Sequence, residues 1–230
     1  MKTMRQIFAR AKKEGRKLLT LDESFDALKA YKIPVAGYAV ARNANEAARA
    51  AEKIGYPVVL KIISKKITHK TDVGGVILGL RSAEDVRTAF EKISKNMKRA
   101  KVRLESVLVQ KMVDGGQQVI VGGKKDSQFG QTVVFGAGGI YVEAFEDVSV
   151  RVTPLTSKDA EEMIKETKVY KTLENFRGKM YDTDAVVDVL LKVSKLLDEN
   201  QGVVELDVNP VVVLPKNMGA VAVDARIVLQ

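Results

Sequence analysis

The sequence has 230 residues, of which 46% are hydrophobic and 29% charged, with no cysteine and a formal net charge of +9. This length and composition predict a globular chain of one or two domains. The lack of cysteine excludes disulfides, thiolate metal sites and cysteine nucleophiles, and favours a cytoplasmic location. Abundant Lys and Glu without Cys or Trp also fit a thermophile. No apolar run approaches the roughly 20 residues that span a bilayer, so we expect no membrane segment.

The positive charge allows two interpretations: a nucleic-acid surface, or attraction for anionic small molecules or an acidic protein. The basic residues are scattered, aromatic residues make up 6% of the chain, and tryptophan is absent. Base-stacking surfaces interleave basic and aromatic side chains, and no segment has that pattern. We therefore expect no nucleic-acid partner.

Helical and extended patterns alternate along the chain, which predicts a mixed α/β (α+β) fold. The basic N-terminal segment predicts an amphipathic helix rather than a secretory signal. Its apolar side comprises Ile7, Ala11, Leu18 and Leu19. Further helices are predicted at 22–33, 46–54, 83–100, 157–167 and 183–200, and strands at 35–41, 58–63, 76–80, 104–113, 118–123, 131–136, 148–155, 203–214 and 220–229.

Cap residues set several of these boundaries. Asn45 is predicted to cap the helix 46–54, and Ser82 with Asp85 forms a capping-box pattern before the next helix. The pattern changes near Asp114 from alternating helices and strands to closely spaced strands. We therefore predict two lobes, residues 1–113 and 114–230.

Lys61 lies within the apolar run 58-VVLKII-63. Because burying an unpaired ammonium group is costly, this lysine should reach water, a polar cavity or an anion. One interpretation is an edge-strand lysine with its head group in water. The other is a lysine that contacts phosphate oxygens.

The stretch 134-VFGAGGIYVEAF-145 predicts a strand–loop–strand turn that matches neither a Walker loop nor a dinucleotide-binding glycine motif. Its glycines allow backbone N–H groups to approach a phosphate, but a plain hairpin turn explains them equally well. Arg151, in the following strand, is a candidate phosphate contact.

Two acids and an amide near the C-terminus suit a magnesium ion. Asp207 and Asn209 are two residues apart and should share one face of a strand. Asp224 lies between apolar residues on the next predicted strand. Carboxylate and amide oxygens are typical Mg²⁺ ligands. A simple turn at Asn-Pro is the alternative.

His69 is the single histidine, set in 67-ITHKTDVGGV-76 between lysines and a glycine turn. A lone histidine is more often structural than catalytic. A neutral imidazole can nevertheless accept a phosphoryl group, and Asp72 could fix its tautomer.

These segments, in this order, resemble the ATP-grasp β subunits of ADP-forming acyl-CoA synthetases of the acetyl-CoA type, relatives of succinyl-CoA synthetase β. The matching motifs are E-A-x-x-A-A-x-x-I-G-Y-P-V-V-L-K, I-x-H-K-T-D-x-G-G-V, F-G-x-G-G-I-Y-V-E, L-D-V-N-P and V-D-A-R. The resemblance covers the chain from about Thr20 and implies an ATP-grasp fold whose two lobes clamp a nucleotide.

The resemblance also implies roles for individual residues. Catalysis would involve His69 as a phosphoryl acceptor, with Glu143 and Arg151. Nucleotide contacts would come from Lys61, from the hinge backbone at Lys111, Met112 and Val113, and from the loop glycines Gly136, Gly138 and Gly139. Mg²⁺ would be held by Asp207, Asn209 and Asp224, with ATP or ADP as substrate.

The chain also departs from the family pattern. Lys111 and Gln118 stand where the family often has acids, which leaves ribose contacts and one metal contact open. The family's R-G-x-P-P-x-D appears as 177-RGKMYDTD-184, so neither Asp182 nor Asp184 is assigned a catalytic role.

The two lobes leave no residues for a CoA domain or an acyl pocket. We therefore expect a CoA-binding α subunit carrying a second phosphohistidine, in an α2β2 assembly as the resemblance implies. The alternatives are an ATP-grasp carboxylate ligase, which needs no histidine acceptor, and a non-catalytic nucleotide-binding subunit.

Overall fold

The computed structural model describes residues 3–65, 67, 70–139 and 147–230. The chain divides into two compact units: the larger comprises Met1–Leu19, Glu23–Val35 and Gly115–Gln230, and the smaller comprises Thr20–Asp22 and Ala36–Asp114. None of the helices in the described ranges has the length and apolarity to cross a membrane.

The boundary after Asp114 coincides with the change in the sequence pattern, but the N-terminal segment belongs to the larger unit. This differs from the predicted lobes, which placed residues 1–113 together. Backbone pairing explains the difference, because Leu18 forms a bridge with Val228 and Val35 with Ala222. These pairings join residues that are distant in sequence, so local patterns do not reveal them.

The smaller unit is a four-stranded antiparallel sheet covered by two helices. The elements are β1 (Tyr38–Ala41), α3 (Ala44–Ile54), β2 (Val58–Ile63), β3 (Val76–Leu80), α4 (Ala83–Arg99) and β4 (Ser106–Lys111). The sheet order is β1-β4-β2-β3, and helices α3 and α4 pack on the sheet and on each other. Buried residues from both layers form one core, among them Ala47, Ala51, Leu60, Ile62, Val86, Ile93, Val107 and Val109.

The caps of these two helices test the sequence predictions. The capping box of α4 is confirmed, because Ser82 Oγ accepts from the Asp85 N–H at 3.0 Å and Asp85 accepts from the Ser82 N–H at 3.1 Å. The prediction of Asn45 as the cap of α3 is wrong. Asn43 caps this helix, and its Oδ1 accepts from the Glu46 N–H at 2.9 Å. Asn43 prevails because Glu46, at the third helical position, also accepts from the Asn43 side chain.

The larger unit contains a six-stranded sheet and several helices. The elements are α1 (Met4–Lys13), α2 (Leu21–Ala30), β5 (Gln117–Asp126), β6 (Gly130–Ala137), β7 (Val148–Val152), α5 (Ser157–Glu166), α6 (Tyr170–Glu174), α7 (Thr183–Glu199), β8 (Val203–Val213), β9 (Ala220–Ala222) and β10 (Arg226–Leu229). The sheet order is β10-β8-β5-β6-β7, with β9 also paired to β8. The long helix α7 packs against β5, β6 and β8.

Three details of this unit differ from the sequence predictions. Helix α1 ends at Lys13, so Leu18 and Leu19 lie beyond its apolar side. The short helix α6 was not predicted. The last predicted strand is broken, and Asp224 lies in the break between β9 and β10.

Strand β8 contains a β-bulge. Val121 pairs with Val208 and Val119 pairs with Val211, so two residues of β8, Asn209 and Pro210, lie opposite Ile120 alone. An extra residue of this kind bends a strand and redirects its side chains.

Candidate functional site

Lys61 is buried in the middle of the small sheet. Strand β2 lies between β4 and β3, and Lys61 is only 7% exposed. The interpretation as an edge-strand lysine with its head group in water is therefore wrong. The interpretation as a phosphate contact remains a prediction.

The predicted hinge follows β4 directly. The Lys111 side chain turns away from the strand end, and its Nζ donates to the carbonyl oxygens of Gly55 at 2.9 Å and Tyr56 at 2.7 Å. The Lys111 N–H donates to Gly37, and the Met112 N–H donates to Pro57. The N–H of Val113 has no such bond to another described residue, so at this hinge it is the donor still available for a base.

The glycine loop leaves β6 and packs closely on β5. Strands β6 and β7 are adjacent and antiparallel, with Gly136 opposite Val148; residues 140–146, which connect them, lie outside the described residues, so the predicted loop between the strands stays a prediction. A Cβ atom at Gly138 would lie 2.6–2.7 Å from the Val119 backbone, and one at Gly139 would lie 2.7 Å from Gln118 Oε1. Glycine is therefore required here by contact with the protein's own backbone and side chains.

The predicted metal ligands lie along β8 and beside it. Leu206 and Val208 are fully buried, whereas Asp207 and Asn209 are only half-buried. Asp207 and Asn209 therefore lie on the same face of β8, as predicted. The Val223 N–H donates to the Pro210 carbonyl, which places the neighbouring Asp224 alongside the bulge of β8. This bond, together with the pairing of Asp207 with Arg226, brings the three predicted ligands to one region of the sheet.

Asn209 connects this region to the glycine loop. Its Oδ1 accepts from the Gly139 N–H at 2.9 Å. The Gly138 N–H donates to the Gln118 carbonyl oxygen, also at 2.9 Å. One predicted metal ligand and two predicted loop residues therefore belong to one hydrogen-bonded cluster, although 70 residues separate Asn209 from Gly139.

These donors fit a hard divalent cation. Two carboxylates and an amide oxygen, with substrate phosphates and waters, suit Mg²⁺. Among the described residues, no group of three or more His, Cys, Asp or Glu side chains could hold a metal ion; the predicted set instead combines two carboxylates with the Asn209 amide. Asp224 Oδ1 also accepts from the Ala225 N–H at 2.9 Å, which restricts the orientation of that carboxylate.

Arg151 lies on the edge strand β7 and is bound to a neighbouring helix. Its guanidinium group donates to Glu166 and to Ser149 Oγ at 3.3 Å. The bond to Glu166 raises the pKa of Arg151. In return, the hydrogen bond from Arg151 and, to a smaller extent, that from Ser149 lower the pKa of the Glu166 carboxyl. Arg151 is opposite Val133, three residue pairs from Gly136, or roughly 10 Å along the strand. The structure does not place it in the loop cluster.

Two predicted catalytic residues, His69 and Glu143, lie outside the described residues. The role of His69 as phosphoryl acceptor and the involvement of Glu143 in catalysis therefore remain predictions.

Sequence reasoning did not identify a cavity of about 540 Å³ at the end of the glycine loop, whose lining includes Gln118, Gly138, Asp147 and Lys168. Asp147 shapes it, because its carboxylate accepts from the N–H groups of Lys168 at 2.8 Å and Val169 at 3.0 Å. The volume is within the range of small-molecule sites. The feature of the sequence that could have indicated this cavity is Asp147, which immediately precedes β7.

Asp182, which was assigned no catalytic role, is structural. Its side chain accepts from the Ala185 N–H at 3.2 Å as the cap of α7 and from the Gly219 N–H at 2.8 Å.

Comparison with known proteins places this arrangement in a family. The model of the ATP-grasp domain matches residues 10–229. The chain is 43% identical to the β subunit of ADP-forming acetate–CoA ligase I from Pyrococcus furiosus, covering 98% of this chain and 97% of that one. It is 50% identical to ADP-forming acetate–CoA ligase I from Archaeoglobus fulgidus over 90% of this chain, but it spans only 30% of that longer relative.

Solved structures agree. The chain matches acetyl-coenzyme A synthetase 1 of Candidatus Korarchaeum cryptofilum, in complex with coenzyme A and Ca-AMPCP, with a TM-score of 0.94 and 45% identity, covering 98% of this chain and 99% of that one. A second structure of that enzyme contains coenzyme A and Mg-AMPPCP, with a phosphohistidine segment pointing towards the nucleotide-binding site; its TM-score is 0.87 at 44% identity, with the same coverage of both chains. The chain belongs to the ATP-grasp family, in the group that contains the β subunits of ADP-forming acetate–CoA ligases.

Proposed function

We propose that this chain is the nucleotide-binding subunit of an ADP-forming acyl-CoA synthetase. The overall reaction is acyl-CoA + ADP + phosphate = acid + CoA + ATP, and this chain carries out reversible phosphoryl transfer between His69 and the nucleotide. The observation that carries the proposal is the hydrogen bond between Asn209 and Gly139, because it joins a predicted metal ligand to the glycine loop. The names of the relatives supply the acid, acetate, and the formation of ADP in the ligase direction, which is the reverse of the reaction as written above.

In this proposal residues of the smaller unit have two tasks. Lys61 contacts phosphate oxygens and offsets their charge, and the hinge backbone at Met112 and Val113 contacts the base. Positioning and charge neutralisation dominate phosphoryl transfer, so the chain needs few covalent groups beyond an acceptor. Glu143 and Arg151 remain predicted contributors. Arg151 would have to leave Glu166, or act through it.

Asp207, Asn209 and Asp224 would hold Mg²⁺. When bound, the ion neutralises phosphate charge and orients the nucleotide. The bond of Asn209 Oδ1 to the Gly139 N–H supports this assignment, because it brings one of the three residues to the loop that is predicted to approach the phosphates.

The acyl and CoA chemistry would come from a separate α subunit, since the relatives that this chain matches along their full length are β subunits. We extend the proposal to an α2β2 assembly in which a phosphohistidine of the α subunit delivers the phosphoryl group, and to a cytoplasmic location. Co-purification with the untagged α subunit and a mass measurement of the complex test the stoichiometry.

The direct test is phosphoryl labelling. The chain is incubated with Mg²⁺ and [γ-³²P]ATP, and the label is then tested for the acid lability and alkali stability of phosphohistidine. Because the sequence has one histidine, such a label identifies His69. We expect labelling of the wild type, its loss in His69→Ala, and loss of ATP formation by that variant in the complex with the α subunit.

Other results would contradict the proposal in recognisable ways. Binding of Mg·ATP without any label would favour a non-catalytic nucleotide-binding subunit. ATP-dependent formation of an acyl phosphate by the isolated chain, with His69→Ala fully active, would favour a carboxylate ligase.

A further inference from the structure

The glycine loop is attached to the sheet through two of its own N–H groups. The Gly138 N–H donates to Gln118 and the Gly139 N–H donates to Asn209, each at 2.9 Å. Gly139 has a φ of +70°, a conformation that an L side chain adopts only with strain. These two N–H groups therefore bind protein acceptors, and the loop position depends on β5 and β8.

The bulge explains how Asn209 reaches the loop. Asn209 and Pro210 together lie opposite Ile120, and Ile120 in turn pairs with Gly136 of β6. Asn209 is therefore two strands away from β6, yet its amide contacts the loop that follows β6. A regular β8 would lack the extra residue that redirects this side chain.

The chemistry of the amide permits a second interaction. An amide oxygen has two lone pairs, and Gly139 uses one of them. We infer that Asn209 is a positioning residue that holds the glycine loop and, through the same Oδ1 atom, links the loop to a divalent cation. The loop half of this inference rests on geometry alone, and the cation half rests on the proposed function.

Amide hydrogen exchange at Gly139, in the full chain without metal or nucleotide, tests the loop half. We expect Asn209→Leu, which lacks an acceptor, to speed exchange by roughly three- to tenfold, the value of one net hydrogen bond. Asn209→Asp should restore the protection or increase it, because a charged acceptor forms stronger hydrogen bonds. Asp224→Asn is the matched control. It alters a predicted metal ligand whose described bond is to Ala225, and it should leave Gly139 exchange unchanged.

Equal Gly139 protection in Asn209→Leu and wild type would overturn the inference, as would an equal loss of protection in Asp224→Asn. If Asn209→Leu does not fold, Asn209→Asp decides the question. Exchange at Gly139 that is faster in Asn209→Asp than in the wild type would contradict the role of Asn209.

Titration calorimetry with Mg·ADP tests the cation half. Affinity should fall at least tenfold in both Asn209→Leu and Asp224→Asn, whereas Asn209→Asp should retain it. Only Asn209→Leu should also lose Gly139 protection. If the wild type does not bind Mg·ADP, the proposed function fails while the exchange result stands. If the wild type binds and Asn209→Leu binds equally well, the link to the cation is overturned.

Discussion

The ammonium group of Lys111 lies 2.7 Å from the carbonyl oxygen of Tyr56, a residue 55 positions earlier in the chain. It also binds the carbonyl of Gly55, where α3 ends. This lysine therefore joins the predicted hinge to the turn between α3 and β2. Its side chain has a structural role where the family often has an acid.

We expect Lys111→Met to lower the free energy of unfolding by roughly 1–2 kcal/mol, because two carbonyl groups lose a charged donor. Urea denaturation measures this change. Lys98→Met, at an exposed position of α4, is the control and should change stability little. A Lys111→Met variant as stable as the wild type would refute the structural role.

Substitution of Lys61 should separate binding from folding. Lys61→Met keeps the volume of a buried side chain in β2 but removes its charge together with the interactions of the ammonium group. We expect a folded, less stable variant whose affinity for Mg·ADP falls roughly ten- to a hundredfold, the value of a hydrogen bond to a charged group. Unchanged affinity, measured by calorimetry, would exclude Lys61 as a phosphate contact.

Close packing of the glycine loop predicts a specific sensitivity. Gly138→Ala would place a methyl group 2.6–2.7 Å from the Val119 backbone, and we expect it to destabilise the protein by roughly 1–3 kcal/mol. Gly37→Ala is the matched control, since no atom lies within 4 Å of its added Cβ. The difference between the two melting temperatures is the measurement, and equal values would show that the loop moves freely away from β5.

The pair of Arg151 and Glu166 predicts a pH dependence. The Glu166 carboxyl accepts hydrogen bonds from Arg151 and Ser149, and these bonds lower its pKa from the ordinary value of 4.5. The stabilisation is therefore complete above that value and lost as the pH falls through the lower pKa of the folded state. We expect Glu166→Gln to be less stable than wild type at neutral pH and to converge with it at acid pH, once the carboxyl is protonated in the folded state.

Since Glu166 is half exposed, this effect should be small and should weaken with added salt. Glu161→Gln, on the same helix, removes a looser pair with Lys165 at 3.6 Å and serves as the control. A stability difference between Glu166→Gln and wild type that persists at acid pH would mean that the pair is not its source.

Local patterns predicted most of the secondary structure. The capping box at Ser82 and Asp85 is a three-residue relationship, so it is readable from sequence. The wrong prediction of Asn45 as the cap of α3 could also have been avoided from local sequence. Asn43 precedes Glu46 by three residues, which is the spacing that a reciprocal cap requires, whereas Asn45 does not have this spacing.

The contacts that organise the candidate site were not predictable in this way. The bond between Asn209 and Gly139 spans 70 residues, and the bonds of Lys111 to Gly55 and Tyr56 span 56 and 55. The residue types indicated metal and phosphate chemistry. Their partners depend on strand order and on one bulge, which hydrophobic periodicity does not encode.

The bulge in β8 lets one strand contribute side chains both to the core and to the candidate site. Val208 and Val211 both face the core although they are three residues apart, because Asn209 and Pro210 together lie opposite Ile120. Deleting Pro210 would restore simple alternation, with Val208 and Val211 still inward and Asn209 still outward. The shortened chain should keep its sheet and the helix packed on it, but the Asn209 side chain should lose its bond to the Gly139 N–H, because the bend of the bulge directs it there. One deleted residue would therefore leave the fold intact and displace a residue of the candidate site.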